Sequence, residues 1–164
     1  MNDWKEDNKK YRYILTVIDV FSKFAWAIPL KDKKGVTIEE SFKVIFKDRI
    51  PESVWCDQGS EFYNSNVKAL FKKHNIELYS TFGDHKSAVI ERFNRTLKTN
   101  MYKAFTASNE TSLKWVDMLP SLINTYNNKY HRTIKMTPNE ASLQKNEEKV
   151  LTILNTVKQI QPKK

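Results

Sequence analysis

Two carboxylic acids occupy positions where an active-site acid is often found. Asp57 follows a short apolar run and comes just before Gly59. Glu91 lies 34 positions later, near the start of a basic segment with helical periodicity. Carboxylate oxygens are the ligands that Mg²⁺ and Mn²⁺ prefer, and neighbouring lysines and arginines bind phosphate. The pair therefore predicts a divalent-metal site that acts on a phosphodiester backbone.

Each acid taken alone also has a simpler interpretation. An aspartate before a glycine is ordinary turn chemistry, so Asp57 by itself is as readily structural as functional. A glutamate near the start of a helix is favoured by the helix dipole, which is the simpler interpretation of Glu91. The combination is more specific than either member.

The elements that must position these acids follow from hydrophobic periodicity and from turn and cap residues. An apparent capping box, Thr37 with Glu40, begins the first helix, and Thr137 with Pro138 begins a late one. Trp26, Trp55 and Trp115 are predicted to lie in the core. The predicted strands are 13–18, 24–30, 53–56 and 76–79, and the predicted helices are 37–46, 66–74, 88–106 and 113–130, with a last amphipathic stretch at 150–157.

A hairpin followed by alternating helices and strands predicts an α/β fold, a mixed sheet flanked by helices. Asp57 would then lie at the carboxyl end of a strand, where functional groups collect in such sheets. We predict three segments: a polar N-terminal remnant at 1–10, a core domain at 11–145, and a C-terminal helix with a basic tail at 146–164.

Composition narrows the choice of partner and compartment. The chain has 164 residues, enough for one domain with a real core. Lysine and arginine number 28 against 19 acids, and the resulting charge of +9 predicts an anionic partner, nucleic acid before a membrane surface. One cysteine excludes a disulfide framework and indicates an intracellular location. No apolar run reaches transmembrane length.

Several motifs together resemble the catalytic core of retroviral-type integrases, and among these the integrases of Maverick/Polinton transposons. The resemblance runs from about Tyr11 to Leu143. Any one motif is weak, but the combination is specific. The motifs are Tyr13-Ile14-Leu15-Thr16-Val17-Ile18-Asp19-Val20-Phe21-Ser22-Lys23, Asp57-Gln58-Gly59-Ser60-Glu61-Phe62, Glu91-Arg92-Phe93-Asn94-Arg95-Thr96-Leu97-Lys98, Tyr126-Asn127 and Thr137-Pro138-Asn139-Glu140-Ala141.

The resemblance implies a ribonuclease-H-like fold and a D,D-E site in which three carboxylates hold two Mg²⁺ or Mn²⁺ ions. Asp57 would be the second ligand and Glu91 the third. The family's first aspartate lies on a strand that would precede Met1, so we expect the first strand to be missing and catalysis to be impaired. Asp19 matches a turn position that the family uses structurally, and it is not expected to bind metal.

Four residues near the two acids are candidate phosphate contacts: Lys86, Asn94, Arg95 and Lys98. Without Glu91 beside them, a solvated basic helix face would be the simpler interpretation. The predicted function is DNA integration by 3′-end processing and strand transfer, with element ends and target DNA as partners, a homo-oligomeric assembly and a nuclear location if active. The alternatives are a catalytically dead nucleic-acid-binding remnant and a ribonuclease-H-like nuclease that cleaves without joining.

Overall fold

The predicted order of elements is confirmed. The computed structural model describes residues 8–57, 59–80, 88–107 and 114–160. Its strands are β1 (Tyr13–Ile18), β2 (Ala25–Leu30), β3 (Ser53–Trp55) and β4 (Glu77–Tyr79). Its helices are α1 (Gly35–Asp48), α2 (Ser65–Lys73), α3 (Ala88–Ala107), α4 (Trp115–Asn127), α5 (Pro138–Ala141) and α6 (Glu147–Ile160), with a 3₁₀ turn at Gln144–Asn146 before α6.

The first two strands form the predicted antiparallel hairpin. Tyr13 lies opposite Leu30, and Ile18 lies opposite Ala25. The turn between the strands is closed by a backbone hydrogen bond from Asp19 to Phe24, at 2.8 Å. Because hydrogen-bonded and open pairs alternate along an antiparallel ladder, the backbone groups of every second residue of β1 face away from β2.

The other two strands form a parallel pair. Ser53 aligns with Glu77 and Trp55 with Tyr79, and α2 makes the crossover between them. Within the described ranges the two strand pairs share no ladder, so the sheet consists of an antiparallel half and a parallel half. Both halves nevertheless pack against one hydrophobic cluster, to which β1 gives Leu15 and β3 gives Val54.

Helices cover both faces of the hairpin, as an α/β fold requires. On one face, α1 and α2 supply most of the first cluster, including Phe42 and Phe71, whose rings meet edge to face at 5.0 Å. On the other face, α3 and α4 build a second cluster around Phe93 and Leu119. The side chains of β1 alternate between these clusters and so fix α3, which carries Glu91, against the hairpin.

The predicted capping box of α1 is wrong. The helix begins at Gly35, two residues before Thr37, and its N-cap residue is Lys34. The Thr37 hydroxyl instead donates to the Asp32 carboxylate at 2.6 Å, and the Lys34 amide donates to the same oxygen at 3.0 Å. The nearby aspartate takes the hydroxyl that would otherwise cap the helix.

The prediction that β3 is buried and that Trp55 lies in the core is also wrong. Trp55 is 42% exposed, and Tyr79, its neighbour on β4, is 44% exposed. Their rings stack with centroids 6.0 Å apart. Because alternate residues of a strand face opposite sides, Val54 and Leu78 contact the core and leave this aromatic pair on the exposed side.

The C-terminal part forms a third, smaller cluster. The predicted start of α5 is confirmed, because Thr137 and Glu140 form a complete capping box with Pro138 in the first turn. Ile134 and Val150 are fully buried, and Phe21 from the hairpin turn packs against them. No helix in the described ranges is long and apolar enough to span a bilayer.

Candidate active site

Asp57 lies just beyond the end of β3 and is exposed. One of its carboxylate oxygens accepts a hydrogen bond from the Gly59 amide at 3.2 Å, which forms a tight turn. A Cβ atom at position 59 would lie 2.5 Å from the end of the flexible Glu61 side chain, which would have to move aside. Glu61 in turn pairs with Lys33 at 2.9 Å. The pKa of Lys33 is raised mainly by its hydrogen bond to Glu61, with a smaller contribution from Asp57.

Glu91 lies in the first turn of α3 and is exposed. Phe93 and Leu97 of the same helix are buried in the second cluster, against β1 and α4. These buried contacts set the rotation of the helix, so the side of α3 that carries Glu91 faces solvent.

The two carboxylates come from different elements, and no hydrogen bond or ion pair joins them in the described ranges. Both are exposed hard oxygen donors, of the chemistry that Mg²⁺ or Mn²⁺ requires. Across those ranges no group of three or more His, Cys, Asp or Glu side chains is arranged to hold a metal ion. Asp57 and Glu91 therefore supply two side chains of the expected chemistry, and no further His, Cys, Asp or Glu of the described ranges is grouped with them.

Asp19 has a structural role at the hairpin turn. One of its oxygens accepts from the Phe21 amide at 2.9 Å, and the other accepts from the Ser22 hydroxyl at 2.6 Å and from the Arg49 guanidinium at 2.5 Å. Arg49 also donates to the carbonyl of Ser142, at 3.2 Å. This network ties the turn to the end of α1 and to the C-terminal cluster, in agreement with the turn role expected for Asp19.

The basic residues predicted to bind DNA lie on the side of α3 that carries Glu91. Residues three, four and seven positions along a helix share a face, so Asn94, Arg95 and Lys98 project on that side. Arg95 and Lys98 are exposed. Asn94 is partly covered, and its side-chain oxygen is buried with no hydrogen-bond partner in the described part of the chain. Lys86 lies outside the described residues.

The sequence did not predict a second group of basic residues. Arg92 forms no ion pair with a described acid. It instead lines a pocket together with Lys23, Lys129 and His131. These residues come from three distant parts of the chain, and no local spacing connects them.

Comparison with known proteins shows which protein family this chain resembles. Residues 2–81 match the integrase core domain family. A transposon-derived protein of Caenorhabditis elegans is 36% identical over 140 residues, which cover 84% of this chain and 48% of that protein. The Pro-Pol polyprotein of Simian foamy virus type 1 is 28% identical over 132 residues, covering 79% of this chain and 11% of the polyprotein.

Solved structures agree on the fold. The catalytic core domain of HTLV-2 integrase, solved with magnesium in a trimeric form, superposes with a TM-score of 0.68 at 18% identity, covering 82% of this chain and 88% of that one. The catalytic core of BIV integrase gives 0.66 at 19% identity, covering 83% and 88%.

Residues 2–81 thus match the integrase core domain family, and the chain has the ribonuclease-H-like fold of retroviral integrase catalytic cores. The chain spans about half the length of the Caenorhabditis elegans relative and about a tenth of the foamy virus polyprotein. The closer relationship to Maverick/Polinton integrases stays a prediction.

Proposed function

We propose that this chain is the catalytic part of a transposon or retroelement integrase that cuts and joins DNA with the help of a divalent metal ion. The observation that carries the proposal is the placement of two exposed acids in a fold shared with integrase cores. Asp57 follows β3 at its carboxyl end, and Glu91 lies in the first turn of α3. Acids at these two positions match the second and third ligands of the D,D-E site.

Asp57 and Glu91 would hold Mg²⁺ or Mn²⁺, and a solved relative with this fold, the HTLV-2 integrase core, is in complex with magnesium. Bound metal would supply Lewis-acid activation of the attacking hydroxyl and stabilisation of the leaving oxygen. The chain's own contribution is to present two carboxylates from rigid elements. Asp19 is not assigned as a ligand, because its carboxylate is already bound to Arg49 and Ser22.

The exposed side of α3 would hold the DNA backbone beside the acids. Arg95 and Lys98 carry positive charge on the side of Glu91, and Asn94 adds an amide there. Lys86, which precedes α3 in the chain, stays a predicted DNA contact. Contacts of this kind position a phosphate backbone without reading sequence, as suits an enzyme that inserts into varied targets.

The test is an assay in which the 164-residue chain receives labelled donor DNA with a recessed 3′ end, target DNA and Mn²⁺. Joined product supports the integrase proposal. Cleavage without joining replaces it with a ribonuclease-H-like nuclease. DNA binding with neither reaction replaces it with a non-catalytic nucleic-acid-binding protein, the alternative favoured by the net charge of +9.

Variants assign the reaction to the site. Asp57→Asn and Glu91→Gln should each reduce product to background, because each removes a charged metal ligand. Glu40→Gln is the matched control, since Glu40 is likewise an exposed glutamate on a helix but lies on α1. Full metal-dependent activity in both Asp57→Asn and Glu91→Gln would overturn the site assignment.

We extend the proposal to assembly and compartment. The HTLV-2 integrase core was solved in a trimeric form, and a further relative of this fold was solved as an intasome. By analogy this chain would act as a homo-oligomer on element ends and target DNA, in the nucleus of its host. Light scattering with and without donor DNA tests the first part, and a monomer in both conditions would contradict it.

A further inference from the structure

A pocket of about 400 Å³ lies beside α3, on a different side from Glu91. Its walls come from the turn after β1, the first turns of α3 and the segment after α4. Its volume falls within the range of small-ligand sites. Its lining combines basic, hydroxyl and aromatic side chains, which are Lys23, Arg92, Lys129, His131, Thr96, Thr133, Phe93, Tyr126 and Tyr130 among others.

Lys23 is the most unusual of these side chains. It is only 8% exposed, and its ammonium group donates to the carbonyl of Val20. Its backbone adopts a φ of 62°, a left-handed conformation that glycine or asparagine takes at lower cost. Burial lowers the pKa of Lys23; Asp19 opposes this shift, and Arg92 adds to it. The turn therefore holds a lysine in a position that is unfavourable in both conformation and charge.

The other basic groups reinforce this excess of positive charge. Burial lowers the pKa of His131, and both Lys23 and Arg92 lower it further, so these three groups lie within electrostatic range of one another. Lys129 adds a fourth basic group, and no described lining residue is an acid. The nearby Asp19 is already bound to Arg49 and Ser22.

The remaining lining favours a ligand with a planar or apolar part. Phe93 and Tyr126 meet edge to face with ring centroids 4.8 Å apart, and Tyr130 stands at the rim with 61% of its surface exposed. Thr96 and Thr133 add hydroxyl-bearing side chains to the lining, and the Thr96 hydroxyl donates to the Arg92 carbonyl at 3.0 Å. Phe93 is only 2% exposed, so a planar group would pack on Tyr126 and Tyr130 while the basic side chains neutralise a negative charge.

We propose that this pocket binds the phosphoryl group of a nucleotide, either free or within a nucleic-acid strand. Arg92 and Lys129 contact the phosphoryl oxygens from the exposed side, and Lys23 provides the buried charge at the base. The aromatic side chains hold the attached nucleoside. A bound dianion offsets the mutual repulsion of the basic groups, which is the free-energy source of binding.

Neither Asp57 nor Glu91 lines the pocket, although Ala88, one turn before Glu91, does. Along α3, Arg92 and Thr96 project roughly 100° or more around the helix axis from Glu91, since each residue turns the helix by about 100°. The proposal therefore goes beyond the integrase function and does not depend on it. If the chain bound phosphate here but failed to join DNA, the pocket would stand and the integrase assignment would fall.

The test is calorimetric titration of the 164-residue chain, at constant ionic strength, with inorganic phosphate, a deoxynucleoside 5′-monophosphate and a short 5′-phosphorylated single strand. Arg92→Gln and Lys129→Gln should each weaken binding about tenfold, the loss typical of a charged hydrogen bond. Both side chains are exposed, so the variants should fold. Lys103→Gln is the matched control, because Lys103 is exposed on the same helix about three turns away.

Tighter binding of the strand than of the mononucleotide, lost in Arg92→Gln, supports the pocket as a contact for a nucleic-acid end. Tighter binding of the mononucleotide than of the strand, again lost in Arg92→Gln, supports the pocket as a site for a free nucleotide. Equal binding by Arg92→Gln, Lys129→Gln and Lys103→Gln overturns the proposal. The proposal is also overturned if titration with the phosphate ligands releases no more heat than titration with chloride at the same ionic strength.

Discussion

The side-chain amide of Asn127 pairs with both backbone groups of Ala25. Its oxygen accepts from the Ala25 amide and its nitrogen donates to the Ala25 carbonyl, each at 2.9 Å. Ala25 lies opposite Ile18 at an open position of the ladder, so its backbone groups face away from β1. Asn127 thus acts as a substitute strand partner and fixes the end of α4 to the start of β2.

Replacing Asn127 with leucine should destabilise the fold by about 2–5 kcal/mol, because it leaves two buried backbone groups without partners. Urea unfolding followed by circular dichroism measures this loss. Asn128→Ala is the control: Asn128 is the next residue, is exposed, and bonds mainly within its own helix and to Asn139. Equal losses in the two variants would show that the bonds to Ala25 contribute nothing particular.

Asp19→Asn should lower stability by about 1–2 kcal/mol, because it weakens charged hydrogen bonds to Ser22 and Arg49. The loss should be the same in Mn²⁺ and in EDTA, since Asp19 is assigned to the turn. Thermal unfolding in both solutions gives the answer. A loss confined to Mn²⁺ would make Asp19 a metal ligand.

Metal binding should raise the unfolding temperature of the unsubstituted chain, because a ligand that binds the folded state stabilises it by mass action. Asp57→Asn and Glu91→Gln should abolish that increase. In EDTA both variants should unfold at or slightly above the temperature of the unsubstituted chain, since each substitution removes one negative charge that no metal ion then neutralises. If Mn²⁺ still raised the unfolding temperature of both variants, Asp57 and Glu91 would not be the metal ligands.

Arg95→Ala and Lys98→Ala should each weaken binding to duplex DNA by a similar factor for all sequences. Each should also reduce the slope of log affinity against log salt by about 1, because one phosphate contact is lost. Fluorescence anisotropy at several salt concentrations measures both. Lys72→Ala, an exposed lysine on α2, should leave the slope unchanged. A slope unaffected by the α3 variants would remove phosphate contact from that surface.

Sequence reasoning worked where short-range chemistry decides the outcome. Thr137 and Pro138 specify the start of α5, and the helix begins there as predicted, with Glu140 completing a capping box that the prediction did not include. Thr37 and Glu40 have the same spacing but fail, because Asp32 offers the Thr37 hydroxyl a competing acceptor. A capping pattern is reliable only when no stronger partner lies just before it.

Features that depend on distant packing could not be predicted. Tryptophan is a large apolar residue that is usually buried. The exposure of Trp55 nevertheless depends on which face of β3 packs against a helix. The basic pocket joins Lys23, Arg92 and Lys129 across more than a hundred positions of sequence. Asp57 and Glu91 could be singled out from the sequence because each lies at a recognisable strand end or helix start. Their joint binding of a metal ion stays a prediction.

The division of the sheet into two strand pairs also governs how the chain behaves in solution. Ladder partners cover β1 on one side in the described ranges, although hydrophobic clusters pack on both of its faces. A well-supported strand with an open edge is a template for any extended peptide of suitable alternation. Pairing of β1 edges between two copies is the form of self-association that this arrangement favours.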